Sequence, residues 1–321
     1  MKFPKQCISR WGGIVIGAFY GLLLRFLFGI SFKGNFSLTD LFSITFIWIV
    51  PVIIGIIPML FANRTQLQSW RYRISRPVLT VFLFFAFCFA TRVEDLICIL
   101  IISIPFLLGA AVGGYVFSEI ISNYRRKNGI IYSILFIPFL AGMLEEQFKT
   151  PSGVYQIHTS VIINAPAETV WKNIVRVRPI KDVEYEKGFF NYAGIPSPLY
   201  AELDRDTLGA NRLGHFEGGL IFKETVTLWE RNQKVSFNIE VIPSSIRQTV
   251  FDQHILKGNH FTFIDATYEL QAIGKRTTKL TLSSSYQLNT NINLYASFWG
   301  NYLLTDFQKR LLTVIKRRCD N

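Results

Sequence analysis

Five solid apolar runs occupy the first half of the chain, and alternation of apolar and polar positions occupies much of the second. The runs are Gly12–Ile30, Leu41–Ala62, Pro77–Thr91, Leu96–Phe117 and Gly129–Leu144. A helix crossing a bilayer needs roughly 17–25 apolar residues, so the third and fifth runs are short for a span. Hydropathy falls at Glu145. The segment Glu145–Gly153 is polar, carries Pro151 and Gly153, and reads as a linker.

Beyond the linker, Tyr155, Ile157, Thr159, Val161 and Ile163 fall on one face of a strand. Pro166 suits a first helical turn, and Val170, Trp171, Ile174 and Val175 form the stripe of a short helix. An irregular stretch follows, Lys181–Tyr200. Strands are then predicted at Gly209–Gly218, Leu220–Glu230, Lys234–Ile242, Phe261–Ala272 and Lys279–Leu288, with hairpin turns at Arg231-Asn232-Gln233 and Gly274-Lys275. A long helix, Asn293–Arg318, closes the chain, with Tyr295, Trp299, Leu303, Phe307 and Leu311 on its apolar stripe. The fold class is therefore a multi-span helical membrane domain over residues 1–148 and an α+β domain over residues 149–321.

This order of elements carries a resemblance. Asn164-Ala165-Pro166-Ala167-Glu168-Thr169-Val170-Trp171 looks like the strand-to-helix signature of the START-like superfamily, which includes polyketide cyclase/dehydrase-like and Bet v 1-like proteins. Phe222–Trp229 resembles its mid-sheet strand and Trp299–Ile315 its closing helix, so the resemblance covers about 153–318. It implies a helix-grip fold, a curved antiparallel sheet around a long helix with an apolar cavity between. It also implies that Phe189, Phe190 and Tyr192, in the irregular stretch, gate the mouth of that cavity.

Charge refines the first half. The chain carries a net +12, and most basic residues of residues 1–149 stand between the apolar runs. That placement argues against nucleic acid as a partner. Lys2, Lys5, Arg10, Arg64, Arg71, Arg73, Arg76, Arg125, Arg126 and Lys127 share one side, against Lys33, Arg92 and Lys149 on the other. The asymmetry places the N-terminus in the cytoplasm of a plasma membrane. With five spans the second domain lies outside; with Gly129–Leu144 only resting on the membrane it is cytoplasmic. The basic N-terminus and first run read as a retained span rather than a cleaved signal. Gly13/Gly17/Gly21 and Gly109/Gly113 with Ala110/Gly114 recur every fourth residue. Such spacing suits close helix packing, either within the chain or across a homo-oligomer. Arg25 lies inside the first run and needs a partner, with Glu94, Asp95, Glu145 and Glu146 on its side. No ladder of intramembrane acids suggests a transporter.

Candidate chemistry is sparse. Cys7, Cys88, Cys98 and Cys319 have no metal-ligand spacing, and His158, His215, His254 and His260 are not clustered, so no metal is expected. No phosphate or dinucleotide fingerprint is present, so no cofactor is expected. On Leu220–Glu230, Glu224 is in phase with Phe222, Val226 and Leu228 and would face the cavity. His215 and Glu217 share a face of the preceding strand. The three are candidates for a polar patch, with Glu224 and His215 as an acid–base pair, or for a structural cluster satisfied by Arg212, Tyr268 or water. Tyr268, Trp299 and Tyr302 complete the candidate ligand contacts, although Trp171, Trp229 and Trp299 also read as core. The expected function is a membrane-anchored domain that binds a small hydrophobic or lipid ligand. The alternatives are a cyclase/dehydratase-type enzyme on the same cavity, and a ligand-sensing or structural membrane protein.

Overall fold

The computed structural model describes residues 5–28, 41–123 and 132–320, and all of their side chains except 5–10, 122–123 and 132. Lys2, Lys33 and Arg125–Lys127, and the side chains of Lys5, Cys7 and Arg10, lie outside the described residues. The chain divides into two compact units, Met1–Thr150 and Pro151–Asn321.

The first unit is helical: α1 (Lys5–Leu27), a π-helical turn (Thr45–Ile49) running into α2 (Val50–Leu60), α3 (Arg64–Gln68), α4 (Trp70–Ala90), α5 (Leu96–Asn123), and a 3-10 turn (Tyr132–Phe136) leading into α6 (Ile137–Glu145). Trp70–Ala90 and Leu96–Ile121 are long and apolar enough to cross a membrane; Trp11–Leu27, Thr45–Leu60 and Ser133–Glu145 are shorter apolar helical segments.

The third apolar run is part of a longer helix, because α4 begins seven residues before Pro77. Its arginines do not stop the helix, since each has somewhere to put its charge. The Arg76 guanidinium lies 5.1 Å from the Trp11 ring and 5.2 Å from Tyr72. Arg73 lies over Tyr115 and pairs with Glu119. What reads as a basic loop is thus mostly helix.

The small-residue stretches are used inside the unit. A methyl group at Gly17 would stand 2.7 Å from Thr80 Cγ2, and one at Gly113 2.5 Å from the Val52 carbonyl oxygen. These glycines let α1 approach α2 and α4, and α5 approach α2. Phe28, Phe46, Phe84 and Phe106 are fully buried between the helices, the last two stacked at 5.5 Å. Arg25 has its partner: it pairs with Glu94 and donates to the Val93 carbonyl at 3.2 Å. The Glu145 carboxylate accepts from the Ile44 and Thr45 amides at 2.7 and 2.9 Å. That places an anion on the positive end of the π-turn and α2.

The second unit is α+β. A seven-stranded antiparallel sheet has the order β1-β7-β6-β5-β4-β3-β2. Its strands are β1 (Ser152–Ile163), β2 (Pro198–Leu203), β3 (Asn211–Phe216), β4 (Ile221–Glu230), β5 (Lys234–Val241), β6 (Phe261–Gly274) and β7 (Thr277–Asn289). The helices are α7 (Ala167–Val175), the single turn α8 (Phe189–Tyr192), α9 (Val250–Ile255) and α10 (Asn293–Asp320). Strands β2 to β7 form a meander, and β1 returns to the far edge, where α10 packs. This is the helix-grip arrangement.

The hairpin at Arg231-Asn232-Gln233 is made by Asn232 at φ 62°, a left-handed conformation that Asn tolerates. Pro166 is the residue before α7 rather than its first turn. One facing differs from expectation. A bulge between Val226 and Leu228 shifts the register, so Leu228 pairs with Ser236 and Trp229 with the fully buried Val235. Trp229, not Leu228, then packs on the core.

That core gathers Ile163, Trp171, Ile174, Phe237, Leu282, Leu312 and Ile315. It lies where β1 ends, and Asp320 at the end of α10 accepts from the Asn164 amide at 2.8 Å. The opposite end of the grip, where β1 and α10 begin, is packed differently.

Candidate functional site

Inner-facing positions follow from the register. Gly214 pairs with Phe222, Phe222 with Val241, Phe263 with Tyr286, and Tyr286 with Tyr155. At the end where β1 and α10 begin, these positions are aromatic, and their rings form a chain. Phe216 lies 4.8 Å from Phe222, Phe222 5.2 Å from Phe263, Phe263 4.8 Å from Phe261, and Phe261 5.2 Å from Tyr286. From α10, Phe307 reaches across to Phe216 at 6.0 Å and closes the cleft on the core side. Phe216, Phe222, Phe261, Phe263, Trp299 and Phe307 are only half-buried, whereas their counterparts in the core are fully buried. A sheet that wraps a helix but leaves six inner aromatics partly open has an apolar cleft.

Polar groups along its β7–α10 wall are placed by hydrogen bonds. The Tyr286 hydroxyl donates to Asn301 Oδ1 at 2.7 Å, and burial pushes its pKa up to about 12. Gln308 Nε2 donates to Ser284 Oγ at 2.9 Å. The segment Lys181–Tyr200 packs beside α10. Phe190 is buried and meets Tyr302 edge-on at 5.1 Å, while Phe189 and Tyr192 are exposed.

This segment is tied to α10 by charge. Arg318 makes a two-pronged pair with Glu184 at 2.8 Å and donates to the carbonyls of Arg178 and Pro179. Arg310 pairs with Asp306 and donates to the Glu186 carbonyl at 2.7 Å. The hydrogen bond from Arg318, then that from the Lys181 amide, pulls the Glu184 carboxyl down to about 2 from its usual 4.5. A depressed carboxylate contributes stability above its unfolded pKa and loses it as pH falls through the folded one. The tie is therefore expected to hold above about pH 4.5 and to loosen between there and about pH 2. Peptide-resolved hydrogen exchange across the acid range reads this: amides of residues 181–195 should lose protection before those of β6 and β7, and simultaneous loss would contradict it.

The polar candidates do not assemble as a patch. Glu224 pairs with Arg212 in the buried interior. Arg212 also donates to the Val175 and Ile174 carbonyls at 3.1 and 3.2 Å and stands 5.2 Å from the Phe237 ring. Those carbonyls belong to the last turn of α7, where the helix leaves them unpaired. Arg212 thus joins α7 to the sheet, and Glu224 neutralises it. Tyr268 is buried on the same face, and desolvation pushes its hydroxyl up to about 12.

His215 is on the other face. Arg212 lies opposite Glu224 across β3 and β4, so His215, three residues on, faces away; it stacks on Tyr200 at 4.2 Å. Glu217 has left the strand for a 3-10 turn, where it pairs with Lys187 at 2.6 Å and accepts from the Ser197 amide. Burial opposes its ionisation, but these partners hold its carboxyl below the usual range. The proposed acid–base pair of His215 and Glu224 is therefore not formed: the sheet separates them.

Sequence reasoning missed the ring chain of Phe216, Phe222, Phe261 and Phe263. The signal available was Phe222 in phase with Glu224. A shallow groove of about 480 Å³ runs between Arg176–Pro179 and Tyr200–Leu203, on the β2 edge and outside the grip. Arg176 at its margin is engaged by Asp206 at 2.6 Å, and the groove shares no residue with the ring chain. Among the described residues, no group of three or more His, Cys, Asp or Glu could hold a metal ion.

No protein-family model and no curated protein sequence matches the chain. Solved structures do show likeness to about half of it. A protein from Nitrosospira multiformis is 14% identical, covering 51% of this chain and 96% of its own, with a TM-score of 0.32. The truncated norcoclaurine synthase of Thalictrum flavum is 14% identical over 53% of this chain and 96% of its own, TM-score 0.32. An aromatase/cyclase from Streptomyces sp. R1128 is 12% identical over 52% and 94%, TM-score 0.33. At these identities and scores no activity passes from those proteins to this chain.

Proposed function

We propose that the chain is a membrane-anchored binding protein whose second unit holds a small apolar ligand, a lipid or a flat hydrophobic molecule, in the aromatic cleft. The observation that carries the reading is the half-open ring chain Phe216–Phe222–Phe263–Phe261. Leaving such surface to water costs about 25 cal/mol per Å², which a ligand filling the cleft recovers. Ring faces suit planar or acyl chemistry, and the few polar groups on the β7–α10 wall suit one polar head.

The anchor is supported by the exterior of the first unit. Val15, Ile16, Phe19, Leu23 and Phe26 on α1, and Ile104, Leu108, Val112 and Val116 on α5, are all exposed. A contiguous apolar exterior of this kind is costly in water and ordinary in lipid. With the N-terminus cytoplasmic, a crossing Ser133–Glu145 segment places the second unit on the outer side. A C-terminal reporter active on one side of the membrane reads which side it is.

The test of the ligand is a palmitic acid probe carrying a diazirine, added to the full chain in detergent, photolysed and mapped by peptide. Adducts are expected within 211–307, and Phe263→Asp should reduce them about tenfold by placing a charge in the apolar cleft. Adducts confined to residues 11–145, as any embedded surface would give, would sink the proposal. No geometry favours the cyclase/dehydratase reading, because its two candidate residues lie on opposite faces.

A further inference from the structure

Helix α10 changes character along one row of its exposed face. Leu294, Phe298 and Tyr302, one turn apart, are 90%, 59% and 56% exposed. Further along the same side, Lys309, Thr313 and Arg317 take over. The apolar half is extended by α8, whose exposed Phe189 and Tyr192 flank the Phe190–Tyr302 contact. Five large apolar or aromatic side chains thus stand exposed at the start of α10 and on α8, beside Trp299 and Phe190 of the cleft side. Isolated exposed apolar residues are normal, but a contiguous cluster marks an interaction surface.

The place of the cluster in the fold indicates its occupant. Asn293 Nδ2, one residue before Leu294, donates to the Pro151 carbonyl at 2.9 Å. Pro151 is the first residue of the second unit, so the apolar rim is at the end where the tether enters. Only Glu146–Pro151 separate α6 from β1, a stretch that reaches about 25 Å at full extension. The tether itself adds an exposed Phe148. Phe, Tyr and Leu are the side chains that suit the boundary between headgroups and acyl chains.

We infer that the rim formed by Leu294, Phe298 and Tyr302, with Phe189 and Tyr192, inserts into the surface of a lipid bilayer, so that the cleft exchanges its ligand with the membrane and not through water. The insertion rests on the first unit being membrane-embedded, and the exchange rests in addition on the proposed ligand of the cleft.

The test uses the full chain in phospholipid nanodiscs, with p-benzoylphenylalanine in place of Phe298, or in separate variants Leu294, Val112 or Ile273. Val112 is exposed on α5, and Ile273 is exposed at the far end of the second unit. After photolysis, intact mass should show phospholipid adducts at 298 and 294 at about tenfold the Ile273 yield, as expected for interfacial insertion. Cross-linked dimers at 298 without lipid adducts would assign the rim to a second copy and overturn the inference. A yield at 298 no higher than at 273, with Val112 still labelled, would leave the rim in water and overturn it too. Failure at Val112 as well would instead bring down the membrane reading beneath it.

Discussion

Arg212→Ala is expected to cost the second unit about 3–5 kcal/mol, because it strands a buried carboxylate. For a domain of this size that corresponds to a fall in melting temperature on the order of 10 °C. Arg212 Nε and Nη2 satisfy the Val175 and Ile174 carbonyls, and Nη1 meets Glu224. Removing the guanidinium leaves Glu224 in an apolar interior and two carbonyls unpaired, each worth about 1–3 kcal/mol when buried without a partner. Glu224→Gln should cost less, since the amide oxygen still accepts from Arg212 and the two carbonyls and the Phe237 ring still face the guanidinium, but it leaves that charge without its counter-ion. Arg212→Met/Glu224→Met should recover the charge component while leaving the α7 carbonyls unsatisfied, and so fall between the single variants. The buried Cys319, in the same core, is the local reporter. Its thiol-labelling rate, followed by mass against denaturant, isolates this unit. An Arg212→Ala chain within about 1 kcal/mol of the parent would show the pair to be far weaker than a buried ion pair should be. Loss of ligand labelling in Glu224→Gln at unchanged stability would return Glu224 to the binding site.

The two faces of the sheet explain which parts of this site could be read from sequence. Alternation on β1 placed Tyr155, Ile157, Thr159, Val161 and Ile163 on one face, and the register with β7 bears this out. Parity within β4 likewise placed Glu224 inward with Phe222 and Val226. Between strands, parity carries no information. The phase of β3 against β4 is set by the turn at Gly218 and Gly219, both at positive φ (74° and 81°), and a change of one residue there would have turned His215 inward. The bulge at Val226/Leu228 is invisible in the sequence for the same reason, and it exchanges Leu228 for Trp229. Strand β2 straddles the end of the irregular stretch Lys181–Tyr200: it starts at Pro198, ends at Leu203 and is only six residues long. Its pairing with β3 and with the Val177 segment defines it, rather than its composition. The cleft was illegible because its rings come from β3, β4, β6 and α10, and only the sheet order brings Phe222 beside Phe263. In the first half, apolar runs marked the helices but not their ends. Arginine guanidinium groups lying over aromatic rings let α4 start at Trp70, inside what reads as a polar loop.

Glu94→Leu is expected to destabilise the first unit more than Arg25→Leu, although both break the same ion pair. The partners are equally withdrawn, with side chains 9% and 6% exposed. They differ in what each can do when left alone. A carboxyl group also exists in a neutral, hydrogen-bonding form. A lone Arg25 cannot lose its proton. It must be solvated in place by the Val93 carbonyl, to which it already donates, or pull α1 toward water. A guanidinium within a lipid-embedded helix costs about 2.5–3.5 kcal/mol on insertion scales, less toward the interface. Glu94→Leu should therefore lose about 3 kcal/mol, and Arg25→Leu should lose less. Arg25→Leu/Glu94→Leu should return to near the parent stability, because a buried pair replaced by well-packed apolar groups is often neutral or better. The fully buried Cys88, whose carbonyl accepts from the Val93 amide at 3.0 Å, reports on this site through its labelling rate in detergent. Equal losses for the two single variants would mean that Arg25 reaches water even when unpaired. A double variant as unstable as Glu94→Leu would mean that the pair positions α1 against the α4–α5 turn through geometry that leucines cannot supply.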